Sequence, residues 1–255
     1  MKEATDFTIV TTEKLGPLYS KLALAPSDGR LLPPLGPGQF VQVAIEAPGV
    51  FLRRPISVCD ADVSGNLLYL LVRRAGKGTE ALCDMEAGSR LNILLPLGKG
   101  FSLDGTSRPL LVGGGVGVAP LLYLGKVLSS KGIQPTFMLG ARSEKDLLLM
   151  EEFEKTGLTL TSTEDGSHGE KGLVTVHSAF GPDFKYDRIY CCGPSPMMKA
   201  VAALARNKGV DCEVSLENMM ACGLGACLCC VENTVKGNVC VCTEGPVFNI
   251  NSLNW

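Results

Sequence analysis

Pro109-Leu-Leu-Val-Gly-Gly-Gly-Val-Gly-Val-Ala-Pro120 is the stretch whose reading decides the fold. Pro109–Val112 reads as a short buried strand, and the glycines at 113, 114, 115 and 117 as a tight turn. Val118–Ser130 then reads as a helix with Pro120 near its first turn, where proline is tolerated. Glycines between a strand and a helix let the backbone approach a pyrophosphate, and the helix N-terminus favours negative charge. The plain alternative is a tight turn with no ligand, but the flanking strand and helix favour the phosphate loop. Through Leu124 this is also the longest apolar stretch, and its glycines and proline argue against a membrane span.

Strands and helices keep alternating downstream. Thr136–Gly140 is a second strand, followed by a helix Lys145–Thr156 that Ser143 can cap. Leu158–Ser162, Arg188–Cys192 and Cys212–Leu216 are further strands, with a helix Pro196–Lys208 between the last two. Short apolar strands in such an alternation imply a parallel, doubly wound sheet. The usual dinucleotide fingerprint places an acid at the end of the second strand, yet Gly140-Ala141-Arg142 stands there. Glu164 and Asp165 follow the third strand instead. An acid beside the ribose accepts from its 2′-hydroxyl and repels a 2′-phosphate, which points to NAD over NADP. A solvated acidic turn is the competing reading.

Upstream of Leu97-Gly98-Lys99-Gly100 the pattern is different. Asp6–Thr12, Leu18–Ala25, Gln39–Ala44, Ile56–Asp60, Asn66–Val72 and Arg90–Leu95 are short strand candidates separated by proline and glycine turns. Six such strands suggest a small antiparallel barrel, with Thr79–Met85 its single short helix. At one strand start stands Arg53-Arg54-Pro55-Ile56-Ser57. Arginine pairs with phosphate through a fork of donors, and a serine hydroxyl can bond a flavin edge, although a surface arginine pair is the plainer reading. The later run Leu71-Val72-Arg73-Arg74-Ala-Gly76-Lys77-Gly78-Thr79 can offer backbone N–H groups to a diphosphate.

Beyond Glu217 the alternation stops, and residues 217–255 hold six of the chain's 11 cysteines. A segment this short builds a poor core alone, so a metal centre is a natural staple. Cys222, Cys227 and Cys230 give C-x4-C-x2-C, the plant-type [2Fe–2S] spacing, with Cys240 and Cys242 further on as candidates for the fourth thiolate. Gly223 and Gly225 permit the tight wrapping that a cluster loop needs. A structural zinc site on Cys227, Cys230, Cys240 and Cys242 is the rival, for which the C-x-C pair is tight, and buried free thiols are the plainest reading.

The formal charge is −2 with no basic block, so no nucleic-acid surface is expected. Glu3, Asp6 and Glu13 stand where a secretory signal would be apolar. The expectation is a cytoplasmic chain, off the membrane, whose cysteines bind metal or do chemistry and do not form disulfides.

Three strings together resemble the ferredoxin–NAD(P) reductase superfamily. They are Arg54-Pro55-Ile56-Ser57, Gly113–Pro120 and Cys192-Gly193-Pro194-Ser195-Pro196-Met197-Met198. Met220-Ala-Cys222-Gly-Leu-Gly-Ala-Cys227, Cys242-Thr-Glu-Gly-Pro-Val-Phe248, Thr163–Gly172 and the doubled Arg53-Arg54 narrow this. They resemble the electron-transfer subunits of NAD-dependent dihydroorotate dehydrogenase B, with T-E-G-P-V-F a modest departure from that family's string. The resemblance implies Cys242 as fourth ligand beside Cys222, Cys227 and Cys230. It implies FAD contacts at Arg54, Pro55, Ile56, Ser57, Leu71, Val72, Arg73, Gly78 and Thr79. Nicotinamide contacts follow at Gly114, Gly115, Gly117, Cys192, Gly193 and Pro194. The implied architecture is multidomain, β plus α/β. An FAD-binding barrel takes 1–101, a doubly wound NAD-binding domain 102–216, and a small [2Fe–2S] domain 217–255.

The implied activity is that of an oxidoreductase subunit. Electrons would come from dihydroorotate on a separate FMN-containing catalytic subunit and pass through [2Fe–2S] and FAD to NAD+. Two copies of each subunit would form a heterotetramer serving pyrimidine (UMP) biosynthesis. No pyrimidine site is evident in this chain, and neither His168 nor His177 is given a catalytic role. A flavin and iron–sulfur NAD(P)H reductase subunit serving ferredoxin or sulfur chemistry is the alternative.

Overall fold

In the computed structural model, which describes residues 2–255, the first hundred positions form the expected antiparallel barrel. Its strands are β1 (Glu3–Leu15), β2 (Tyr19–Pro26), β3 (Phe40–Val43), β4 (Arg54–Asp62), β5 (Leu67–Arg73) and β6 (Arg90–Leu97). They close in the order β1-β2-β5-β4-β3-β6. Phe7, Ile9, Leu22, Leu24, Val41, Val43, Leu68, Leu70, Ile93 and Leu95 are buried, as the period-2 pattern of half-buried strands requires. The one helix of this region among the described residues, α1 (Lys77–Asp84), opens two residues earlier than its composition predicted.

β3 departs from the alternation, since all four of its residues are buried. Val41 and Val43 share one face, so Phe40 and Gln42 lie on the other. That second face is covered by chain from the C-terminal tail. A β-carbon on Gly98 would lie 2.6 Å from Pro246 and 3.0 Å from Phe40, and Lys99 N donates to the Gly245 carbonyl at 2.5 Å.

The nucleotide-type half is a parallel sheet of β7 (Pro109–Gly114), β8 (Thr136–Ala141), β9 (Leu158–Thr163), β10 (Glu170–Lys171), β11 (Arg188–Cys192) and β12 (Asp211–Ser215). Helices α2 (Val118–Ser130), α3 (Met150–Thr156) and α4 (Ser195–Lys208) connect them. The expected helix over 145–156 is shorter than its composition predicted. Leu148 and Leu149 turn into the core, Leu149 at φ 56, and the Ser143 hydroxyl donates to the Asp146 carboxylate at 2.6 Å without capping a helix. Core demand outweighs helix propensity at this point.

The tail continues as β13 (Val231–Thr234), β14 (Gly237–Cys240), the single turn α5 (Val241–Glu244) and β15 (Val247–Asn249). β15 pairs antiparallel with β12, giving the sheet order β10-β9-β8-β7-β11-β12-β15. The chain gathers into two compact units. One takes the residues up to Gly100 with Asn218–Glu232 and Asn238–Pro246; the other takes Phe101–Glu217 with Asn233–Gly237 and Val247–Trp255. Among the described residues, no helix is long and apolar enough to cross a membrane.

Candidate functional site

The cysteine loop is built by backbone geometry. Gly223 (φ 70), Gly225 (φ 83) and Leu228 (φ 57) turn the chain into the left-handed region three times in six residues. The turns aim N–H groups at sulfur. Leu224 N donates to Cys222 Sγ at 3.3 Å, Gly225 N to Cys242 Sγ at 3.2 Å, and Cys242 N to Cys230 Sγ at 3.4 Å. Cys222 neighbours Cys227, and Cys230 neighbours both Cys242 and Cys240. The Leu224 N–H, helped by Cys227, brings the Cys222 thiol down to about 6. Burial, then Cys230, pushes Cys242 up to about 12.

The remaining two cysteines of the loop differ. Cys240 donates to the Gly225 carbonyl at 3.8 Å, and Cys229 is exposed. Among the described residues no three His, Cys, Asp or Glu side chains converge as they would around a single ion. A cluster of two irons needs the wider arrangement of two thiolate pairs.

The loop is tied to its own unit. Asn218 Nδ2 donates to Glu232 at 3.0 Å, Val241 N to the Cys230 carbonyl at 3.0 Å, and Lys99 pairs with Glu244 at 2.7 Å. Gln42 of β3 lies beneath it, and a β-carbon on Gly223 would sit 2.8 Å from Gln42 Cγ. Gln42 is fully buried, and neither its Nε2 nor its Oε1 finds a partner among the described residues. An unpaired amide there costs about 1–3 kcal/mol. Sequence reasoning missed this residue, because a lone glutamine in an apolar strand carries no signal until its cover is known.

The expected flavin residues line a gap in the barrel. The β4–β5 ladder ends at Val58 opposite Leu70. Past that point Arg54–Ser57 stay paired with β3, and Leu71–Arg73 stay paired with β2. Two adjacent strands thus splay apart, and their free ends are the segments named from sequence. Arg53 acts differently from Arg54. Its guanidinium clamps the Gln42 and Asn92 carbonyls at 3.2 and 2.9 Å. Arg54 lies over Gly78, where a β-carbon would meet its Nε at 2.7 Å. Thr79 Oγ1 accepts from Ala75 N at 3.0 Å and donates to the Gly76 carbonyl at 3.1 Å, shaping the α1 entry.

In the other unit the two nicotinamide motifs meet. β7 lies between β8 and β11, so the strand order reverses there, the switch point at which open α/β sheets bind ligands. Gly113 of β7 is in register with Cys192 of β11, which brings the glycine turn against Cys192-Gly193-Pro194. A β-carbon on Gly117 would lie 2.6 Å from Gly193 N and 2.7 Å from the Cys192 carbonyl carbon. One on Gly114 would lie 2.7 Å from Met197 Sδ. Burial, reinforced by Glu217, pushes Cys192 up to about 12, so it stays a neutral thiol near pH 7.

The post-strand acids serve their own turn. Ser167 donates its hydroxyl to Asp165 at 2.6 Å and its N–H at 3.0 Å. Both histidines are likewise in local bonds, His168 with Thr161 and His177 with Ala179 N.

Comparison with known proteins extends these observations. Residues 217–254 match the iron–sulfur cluster binding domain of dihydroorotate dehydrogenase B, and residues 111–203 match the oxidoreductase NAD-binding domain. The dihydroorotate dehydrogenase B (NAD(+)) electron transfer subunit of Listeria innocua is 37% identical over 98% of both chains. Its counterpart in Shouchella clausii is 40% identical over 85% of this chain and 86% of its own. Among solved structures, a chain of the NADH-dependent reduced ferredoxin-NADP oxidoreductase is 31% identical, with a TM-score of 0.86 over 98% of this chain and 90% of that one. The FAD/NAD-binding domain of Vibrio cholerae nitric oxide dioxygenase shares the fold, with a TM-score of 0.71 at 20% identity over 82% of this chain and 98% of that one. Identity at this level along nearly the whole chain shows that it belongs to the family of electron transfer subunits of NAD-dependent dihydroorotate dehydrogenase B.

Proposed function

We propose that this chain links a dihydroorotate-oxidising catalytic subunit to NAD+, carrying electrons from one to the other in pyrimidine (UMP) biosynthesis. The observation that carries this reading is the position of the thiol loop. It folds in the same compact unit as the barrel with the splayed β4 and β5, so a one-electron site and a flavin site share a body. When bound, a [2Fe–2S] cluster exchanges single electrons, a nicotinamide exchanges a hydride, and FAD converts between them.

In this reading Cys222, Cys227, Cys230 and Cys242 hold the cluster. The gathered thiols and the three N–H groups aimed at sulfur fit such a group, since backbone donors pointed at sulfur favour the deprotonated ligands it needs. Arg54 pairs with the FAD diphosphate, and Gly78 and Thr79 open α1 toward it. Pro55, Ile56, Ser57, Leu71, Val72 and Arg73 line the flavin slot. Gly114, Gly115, Gly117, Cys192, Gly193 and Pro194 seat NAD. Functionally we take 1–101 as the FAD-binding region, 102–216 as the NAD-binding region and 217–255 as the cluster-binding region. The partner is an FMN-containing catalytic subunit, two copies of each forming a cytoplasmic heterotetramer. Met219, Leu224 and Leu228 expose apolar side chains on the cysteine loop, a surface suited to being covered by that partner.

The test is an absorbance spectrum of the purified protein with iron, sulfide and flavin analysis. The expected result is about two irons, two sulfides and one FAD per chain. A colourless protein carrying zinc would contradict it. A second reading, a flavin and iron–sulfur reductase serving ferredoxin or sulfur chemistry, is favoured by the 31% identity to the ferredoxin-NADP oxidoreductase chain. It predicts the same spectrum and differs in the partner that supplies electrons.

A further inference from the structure

We propose that Gln42 is a positioning residue for the cluster: its side-chain amide donates a hydrogen bond to a cluster sulfur and raises the cluster's reduction potential. The inference rests on the cluster reading above. Gln42 lies on the face of β3 opposite Val41 and Val43, where a barrel residue ordinarily meets water. It is nevertheless fully buried, and what it packs against is the start of the cysteine loop. A β-carbon on Gly223, the residue after Cys222, would lie 2.8 Å from Gln42 Cγ, 3.0 Å from Nε2 and 3.3 Å from Cδ. Any side chain at 223 would displace the amide.

The amide brings two N–H donors and one acceptor, all without partners among the described residues. Buried polar groups are paired as a rule. The nearby loop N–H groups, those of Leu224, Gly225 and Cys242, already point at sulfur, so a donor added from below extends the same pattern. The backbone at Gln42 is fixed, because Arg53 Nη1 holds its carbonyl at 3.2 Å while also binding Asn92. The side chain is thereby presented at a set place. A hydrogen bond to a cluster sulfur stabilises the more negative, reduced state, and hydrogen bonds to the sulfurs are among the factors that set cluster potentials. The other candidate acceptor is the flavin, since Gln42 pairs in register with Pro55 of the splayed strand.

The test uses the loaded full chain, unmodified and as Gln42→Leu, which keeps bulk and removes both donors. Iron, sulfide and flavin per chain are measured first, then cluster and flavin potentials by a redox titration followed by EPR and absorbance. The expected result is full iron and sulfide with the cluster potential shifted negative and the flavin potential unmoved. A loaded variant with an unchanged cluster potential overturns the proposal, as does a shift confined to the flavin. Where Gln42→Leu fails to load, pulsed EPR of the unmodified protein decides. Labelling the glutamine side-chain nitrogens with 15N should alter a nitrogen coupling to the reduced cluster, and no change overturns the proposal. Only Gln39, Gln42 and Gln134 carry that label, and the Gln39 amide already donates to the Gly98 carbonyl at 2.9 Å. An unmodified protein without iron and sulfide would sink the cluster reading itself, separately from the role of Gln42.

Discussion

Cys240 and Cys242 are separated by one valine, yet their sulfurs stand in opposite relations to the backbone. Cys242 Sγ receives the Gly225 N–H, as a thiolate ligand should, whereas the Cys240 thiol donates to the Gly225 carbonyl. Cys242→Ser is therefore expected to abolish the cluster, and Cys240→Ser to retain it, read as iron and sulfide per chain and the visible spectrum. Loss only in Cys240→Ser would reverse the ligand assignment. Three of the proposed ligands can be named from spacing alone, because a tight loop around a cluster imposes C-x4-C-x2-C on the chain. The fourth cannot, since two cysteines two apart satisfy any spacing rule equally well. Leu228 at positive φ also left no trace in the sequence, because only the folded loop demands that dihedral of a leucine.

Elements with a strong local pattern are legible in the sequence. β11 and α2 have the boundaries that apolar periodicity and the glycine turn predicted. The failures occur where tertiary contact overrides local preference. The 145–156 helix breaks where Leu148 and Leu149 are drawn into the core, and β15 is a strand only because β12 offers it an edge. The glycine turn itself can be tested at this scale. Gly117 has φ −63, so alanine is allowed by backbone conformation there. Its β-carbon would still strike the backbone of Cys192 and Gly193, which cannot yield as a flexible side chain does. Gly117→Ala should raise KM for NADH roughly tenfold or more in an assay with an artificial acceptor. Iron and flavin content should be unchanged. An unaltered KM would mean that the meeting of these two motifs is not the nicotinamide seat.

At the scale of the whole molecule, local reading gave the order of parts but not their assembly. The cysteine tail reads as one piece in sequence, while in space it is shared: 218–232 and 238–246 join the barrel unit, and 233–237 and 247–255 join the sheet unit. Such sharing is decided by which surfaces the tail covers, Phe40 and Gln42 of β3 among them, and no window of sequence contains that information. The result is a barrel unit that carries both the splayed ends of β4 and β5, proposed above to take the flavin, and the thiol loop, as a converter between two-electron and one-electron carriers requires. The most direct test of this account mixes the loaded chain with a competent FMN-containing catalytic subunit and follows NAD+ reduction on addition of dihydroorotate. NADH is expected to form only when both proteins are present. No NADH from the complete mixture, or full activity with reduced ferredoxin in place of the catalytic subunit, would contradict it.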